Sequence, residues 1–146
     1  MEEITNILKW HSRKTKSAEA KADSVINDSK SGNSNGPSSS EIPDMFFDDI
    51  LVNYKLTRIE IMVMMYLYRR VWCRPNINKL YGISDIMAYE AVYKALSISR
   101  DDLYSSFVKL EGFGFIETIR SGQYFVRKYF TQELDKKHGQ SYDNFL

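Results

Sequence analysis

The sequence predicts an α+β domain, mainly helical, that ends in a β-hairpin. Three observations carry this. Leu103, Phe107 and Leu110 repeat at helical spacing behind Ser99, so residues 99–112 read as an amphipathic helix. Residues 115–120 alternate, Ser121-Gly122 suits a tight turn, and residues 123–130 return as a second strand. Thr57-Arg58-Ile59-Glu60 precedes an apolar run and has the form of a capping box, which places another helix start at Arg58.

Composition bounds the rest. A chain of 146 residues has room for one domain plus a tail, and 43% apolar residues suffice for a core. Formal net charge is +1, and from Glu41 onward fourteen Lys/Arg balance fourteen Asp/Glu. No global basic field therefore marks a nucleic-acid partner. The single cysteine, Cys73, excludes an internal disulfide and fits a reducing cytoplasm. Glu2 and Glu3 with no continuous apolar run argue against a signal peptide. No stretch approaches the roughly 20 apolar residues that span a bilayer, so the expectation is a cytoplasmic chain with no membrane partner.

Residues 1–40 read as a disordered tail and linker. Ile4, Ile7 and Leu8 line one side of a short helix near Trp10, and residues 28–40, DSKSGNSNGPSSS, have linker composition. A sharper reading makes residues 4–10 a partner-binding motif that folds on binding. A basic arm is a third reading, opposed by the interspersed acids. The folded domain is expected over 41–138, with 139–146 as a frayed end. Met45, Phe46, Phe47, Ile50 and Leu51 supply its first apolar anchors.

The helix from Arg58 to about Trp72 is apolar on nearly every side. Ile61, Met62, Met65 and Tyr68 then belong either to a central core helix or to a homodimer contact. Arg69, Arg70 and Arg74 near its end suit the helix dipole. A loop follows to Gly82. Residues 83–87 form a short strand or the first turn of the next helix. That helix, 88–96, turns Ala91, Val92, Ala95 and Leu96 inward, and Ser97-Ile98 make the turn after it. Ser99 caps the following helix by accepting the N–H of Asp101 or Asp102, and Gly112 or Gly114 ends it. Thr131 caps a last helix that runs to about His138 and stops at Gly139.

Ser99, Arg100, Leu103, Phe107, Leu110, Gly114 and Ile116 resemble, in order, the recognition helix and first wing strand of bacterial winged-helix (helix-turn-helix) proteins. The run YLYRRVW at 66–72 is loosely similar to the matching helix of plasmid and phage replication-initiator winged helices. Ser97 departs from the glycine such families usually carry there. The resemblance implies a winged helix-turn-helix with a β-hairpin wing. It also implies duplex DNA as partner, in transcription regulation or replication initiation, with the recognition helix in the major groove. On that reading Arg100 pairs with a guanine and Tyr104 and Ser105 meet phosphate. Lys109 and the wing residues Arg120, Gln123 and Arg127 complete the contact.

The recognition helix also carries the opposing evidence. Asp101 and Asp102 would face a polyanion, and Tyr104 and Val108 lie one turn apart on the outward face. An exposed aromatic and aliphatic suit a protein contact. The alternative is therefore a protein–protein interaction module using Asp101, Tyr104 and Val108, or the Met-rich helix. Convergence of Arg69, Arg70, Lys94, Arg100, Arg120 and Arg127 on one face would favour DNA; dominance of Asp101 and Asp102 there would oppose it.

Catalysis finds no residues. His11 and His138 lie at opposite ends and one cysteine completes no ligand set of known spacing, so neither metal nor cofactor is expected. Gly112-Phe113-Gly114 ends a helix and forms no phosphate loop. Asp48-Asp49 and Asp101-Asp102 are adjacent, so their side chains diverge on a helix. The chain reads as a non-enzyme.

Overall fold

Thr57 and Glu60 close the expected capping box. Thr57 Oγ1 accepts the Glu60 N–H at 3.2 Å, and Glu60 Oε1 accepts the Thr57 N–H at 3.1 Å. Two of the donors that a helix start leaves unpaired are thereby satisfied. The computed structural model describes residues 36–142, and the chain divides into two units between Ser39 and Ser40. The readings made for residues 1–35, the motif at 4–10 included, and for 143–146 lie outside the described residues.

The second unit is α+β, about half helical with one two-stranded antiparallel hairpin. In chain order it contains α1 (46–53, π-wound over Phe46–Ile50 and α-helical over Leu51–Asn53), α2 (Arg58–Tyr68), α3 (Tyr89–Leu96), α4 (Arg100–Gly112), β1 (Ile116–Arg120), β2 (Gln123–Val126) and α5 (Gln132–Lys137). None of its helices is long and apolar enough to cross a membrane.

Past Tyr68, α2 continues with π winding over Arg69–Cys73. It stops at Arg74, which is extended because Pro75 follows and excludes helical backbone before it. Its faces are more distinct than the composition suggested. Val63, Met64, Leu67, Tyr68 and Val71 are buried, whereas Ile61, Met62 and Met65 are half-buried. Of the two alternatives left open for Tyr68, it takes the core one. Its ring stacks on Phe130 at 5.1 Å and its hydroxyl donates to the Lys128 carbonyl at 2.9 Å.

The core lies between α2 and α4. Leu103, Phe107 and Leu110 bury the stripe read from their spacing, joined by Phe115, Ile116, Tyr124 and Val126 from the hairpin. Phe46 and Ile50 of α1 belong to the same cluster, with Phe46 at 5.1 Å from Phe130. In α3 the expected inward set is corrected: Val92 is buried, Leu96 half-buried, and Ala91 and Ala95 exposed. The inward stripe is Tyr89, Val92, Tyr93 and Leu96, because large side chains remove more apolar area from water than two alanines do.

Residues 83–87 form neither a strand of their own nor the first turn of α3, which starts at Tyr89, but hydrogen-bond along the hairpin. The Val126 N–H donates to Gly82 O, Ser84 N–H to Tyr124 O, and Met87 N–H to Gly122 O, at 2.7–2.9 Å, and Ile83 bridges Phe125. The hairpin itself is shorter than the alternation implied. β1 buries only Ile116, and the register slips between Thr118 and Arg120, leaving Ile119 42% exposed. β2 ends at Val126, and beyond it Phe130 takes φ 74° with its ring buried.

The expectation of a frayed end is corrected as far as Tyr142. Its hydroxyl donates to Asp135 Oδ2 and accepts the Lys128 N–H, both at 2.8 Å, and its ring stands edge-on to Phe125. Burial pushes the phenols of Tyr68 and Tyr142 well above their ordinary range. The sign of the linkage follows. In the unfolded chain these phenols ionise near about pH 10 while the native state keeps them protonated, so stability present below that pH is lost as pH rises through and beyond it. A melting-temperature series should be flat up to about pH 9 and fall by pH 11, by about 1 kcal/mol of stability for Tyr68 alone. Tyr68→Phe should flatten the fall; an unchanged wild-type midpoint at pH 11 would contradict it.

Candidate functional site

α3, the turn at Ser97 and α4 present one continuous surface. Ser97 supplies the left-handed residue of the turn (φ 54°) without being glycine. Ser99 Oγ then accepts the Asp102 N–H at 3.0 Å and starts α4. Because Leu103, Ser106, Phe107 and Leu110 are held in the core, the opposite face of α4 must point outward. That face carries Arg100, Asp101, Tyr104, Ser105, Val108 and Lys109, all exposed; Tyr104 is 65% and Val108 53% accessible. Lys109 lies over the Phe113 ring, 5.9 Å from its centroid.

The hairpin joins this surface at the end of α4, where the Thr118 hydroxyl donates to Glu111 Oε1. Glu111, Gly114, Ile116, Glu117, Thr118, Phe125 and Arg127 line a cleft of about 290 Å³. It contains two exposed carboxylates and one guanidinium.

Two of the wing residues expected to meet DNA point elsewhere. Gln123 is corrected to a buried residue, 2% accessible. Its Nε2 donates to the Ser84 carbonyl at 3.0 Å and its Oε1 accepts from Arg120 Nε at 2.8 Å. Arg127 is corrected to a brace. Its Nε donates to the Gly114 carbonyl and its guanidinium pairs with the buried Asp135, both at 3.1 Å. Arg120 stays exposed near the hairpin tip.

Three of the six cations considered for a common face already have acidic partners. Arg70 pairs with Asp85 at 2.7 Å, Lys94 with Glu90 at 2.5 Å, and Arg127 with Asp135. Asp85 holds the Arg70 guanidinium further above its ordinary range. Each such pair cancels a charge that phosphate would otherwise neutralise. Asp101 and Asp102 remain exposed beside Arg100.

Tyr89 was not singled out from the sequence. Its ring packs on Phe107, and its hydroxyl is buried without a hydrogen-bond partner among the described residues. Burial raises its phenol, and the nearby Arg100 partly offsets this. A tyrosine at the start of a helix carries no sequence signal for such a position.

On the outer side of α2, Ile42, Met62, Met65, Tyr66, Arg69 and Leu96 line a shallow, mostly apolar groove. Among the described residues no group of three His, Cys, Asp or Glu side chains is placed to hold a metal. Comparison of the chain with protein-family models, curated proteins and solved structures finds no match.

Proposed function

We propose that the second unit is a winged helix-turn-helix that binds duplex DNA, with α3–Ser97–α4 as the helix-turn-helix, α4 as the recognition helix and β1–β2 as the wing. The observation that carries this is the division of α4: one face is locked into the core, and the other is free along its whole length and begins at Arg100. The order of elements supports it, with the segment 82–87 between α2 and α3 hydrogen-bonded along the hairpin and Ile83 bridging Phe125 of β2. Arg100 at the first turn suits a guanine edge, Tyr104 and Ser105 suit phosphate, and Val108 suits an apolar contact deeper in the groove. In this role the protein acts in transcription regulation or replication initiation and performs no catalysis.

The charge placement sets the strength of binding. With Arg127, Arg70 and Lys94 engaged by acids, Arg100, Lys109 and Arg120 are the cations left around α4 and the wing tip. With Arg100 on a guanine edge, Lys109 and Arg120 are left for phosphate, and two such contacts correspond to a log–log salt slope of roughly −2 on B-DNA. Fluorescence anisotropy with random duplex DNA across a salt series tests this. Weak binding with that shallow slope, reduced by Arg100→Ala, is the expected result; no binding at low salt would overturn the reading.

One observation favours a second reading. Tyr104 and Val108 are both more than half exposed and flanked by Asp101. If DNA is not bound, this face is a protein contact, and Tyr104→Ala is the variant that should abolish it.

A further inference from the structure

The balanced charge of the domain hides two segregated blocks. Residues 41–54 contain four acids, Glu41, Asp44, Asp48 and Asp49, and no Lys or Arg. Residues 61–84 contain four cations, Arg69, Arg70, Arg74 and Lys79, and no Asp or Glu. Among the described residues no ion pair engages Asp44, Asp48, Asp49, Arg69 or Lys79.

Each block also carries exposed apolar side chains. On α1, Phe47 is 51% and Val52 62% accessible beside Asp48 and Asp49. In the loop after α2, Ile77 is 96% and Leu80 71% accessible on either side of Lys79. That loop is not free to fold them away. Asn76 Nδ2 donates to the carbonyls of Ile83 and Val71, its Oδ1 accepts the Asn78 N–H, and Gly82 N–H closes a 3₁₀ turn on Lys79 O. A fixed backbone therefore holds two large aliphatics in water, an arrangement that marks a contact surface.

We infer that these two surfaces are complementary halves of one self-association interface: the Ile77–Lys79–Leu80 loop of one copy seats on the Phe47–Asp48–Asp49–Val52 face of α1 of a second copy of this chain. Apolar side chains meet apolar side chains, and Lys79 meets Asp48 and Asp49. Because different patches meet, the contact is heterologous, so dimers continue into rings or chains at higher concentration. The interface is separate from α4 and from the groove along Met62 and Met65.

Sedimentation velocity of the full chain, from micromolar to millimolar concentration, tests the assembly. The average mass should rise with concentration, and added salt should oppose the rise. Lys79→Glu and the double variant Asp48→Lys/Asp49→Lys should each weaken association by roughly tenfold or more, since both place like charges in contact. All three positions are exposed, and unchanged circular dichroism confirms folding of each variant. An equimolar mixture of the two variants should recover association, now in assemblies that alternate the two. Ile77→Ser/Leu80→Ser should leave the chain monomeric. A wild-type chain that stays monomeric at millimolar concentration, charge reversals without effect, or a mixture that fails to recover would each overturn the inference.

Discussion

Asp135→Ala is expected to lower the stability of the domain by roughly 3–5 kcal/mol, enough to unfold much of the population near physiological temperature. Asp135 is 2% accessible, and its two carboxylate oxygens serve three elements of the chain. Oδ1 accepts the Tyr129 N–H at 3.1 Å, and Oδ2 accepts from the Arg127 guanidinium at 3.1 Å and from the Tyr142 hydroxyl at 2.8 Å. Arg127 carries the connection on to the Gly114 carbonyl, at the corner between α4 and β1. Alanine would leave the Arg127 guanidinium with only the neutral Gly114 carbonyl and the Tyr129 N–H and Tyr142 hydroxyl without an acceptor, and the uncompensated charge sets the size of the loss. Asp135→Asn keeps the shape and one acceptor, so it should lose less. Tyr142→Phe removes a single hydroxyl and should cost about 1–2 kcal/mol. Urea titrations of the three variants rank them, and an Asp135→Ala midpoint within error of wild type would refute the network as the tie between α5, the hairpin and the chain end.

The same network separates what the sequence could reveal from what it could not. Local signals were legible because their partners lie within a few residues. The Thr57 capping box, the Ser99 and Thr131 caps, the stripe Leu103–Phe107–Leu110 and the Ser121-Gly122 turn all stand where spacing placed them. Long-range polar pairing left no such trace. Nothing near Gln123 in sequence announces that Ser84, thirty-nine residues away, will accept its amide proton. Arg127 reads as a wing cation until Asp135 is found folded under it. For Tyr68 core and dimer contact stayed open in the sequence, because an all-apolar helix carries no sign of which face Phe130 will cover. At the candidate site, the outward face of α4 was legible from the inward one, while the number of unneutralised cations around it was not.

Gly122→Ala is expected to cost about 2–4 kcal/mol and to weaken DNA binding beyond that loss, because it strikes the tip of the proposed wing. Gly122 has φ 83°, a conformation that an L side chain adopts only with strain. A Cβ there would lie 2.5 Å from the Met87 carbonyl oxygen, which is backbone and cannot rotate aside. The tip would have to withdraw, and the Met87 N–H to Gly122 O bond at 2.8 Å would go with it. That bond ties the hairpin to the segment leading into α3, so Arg120 would lose its fixed position relative to α4. Gly112→Ala is the control. Gly112 closes α4 with helical backbone and open space around it, and alanine there should stabilise by about 0.5 kcal/mol. Opposite shifts in melting temperature for the two alanines are the expected result. Measuring duplex binding well below both midpoints then separates the wing from the fold. If Gly122→Ala binds DNA as the wild type does once folded, the hairpin tip does not touch the duplex and α4 alone carries the contact.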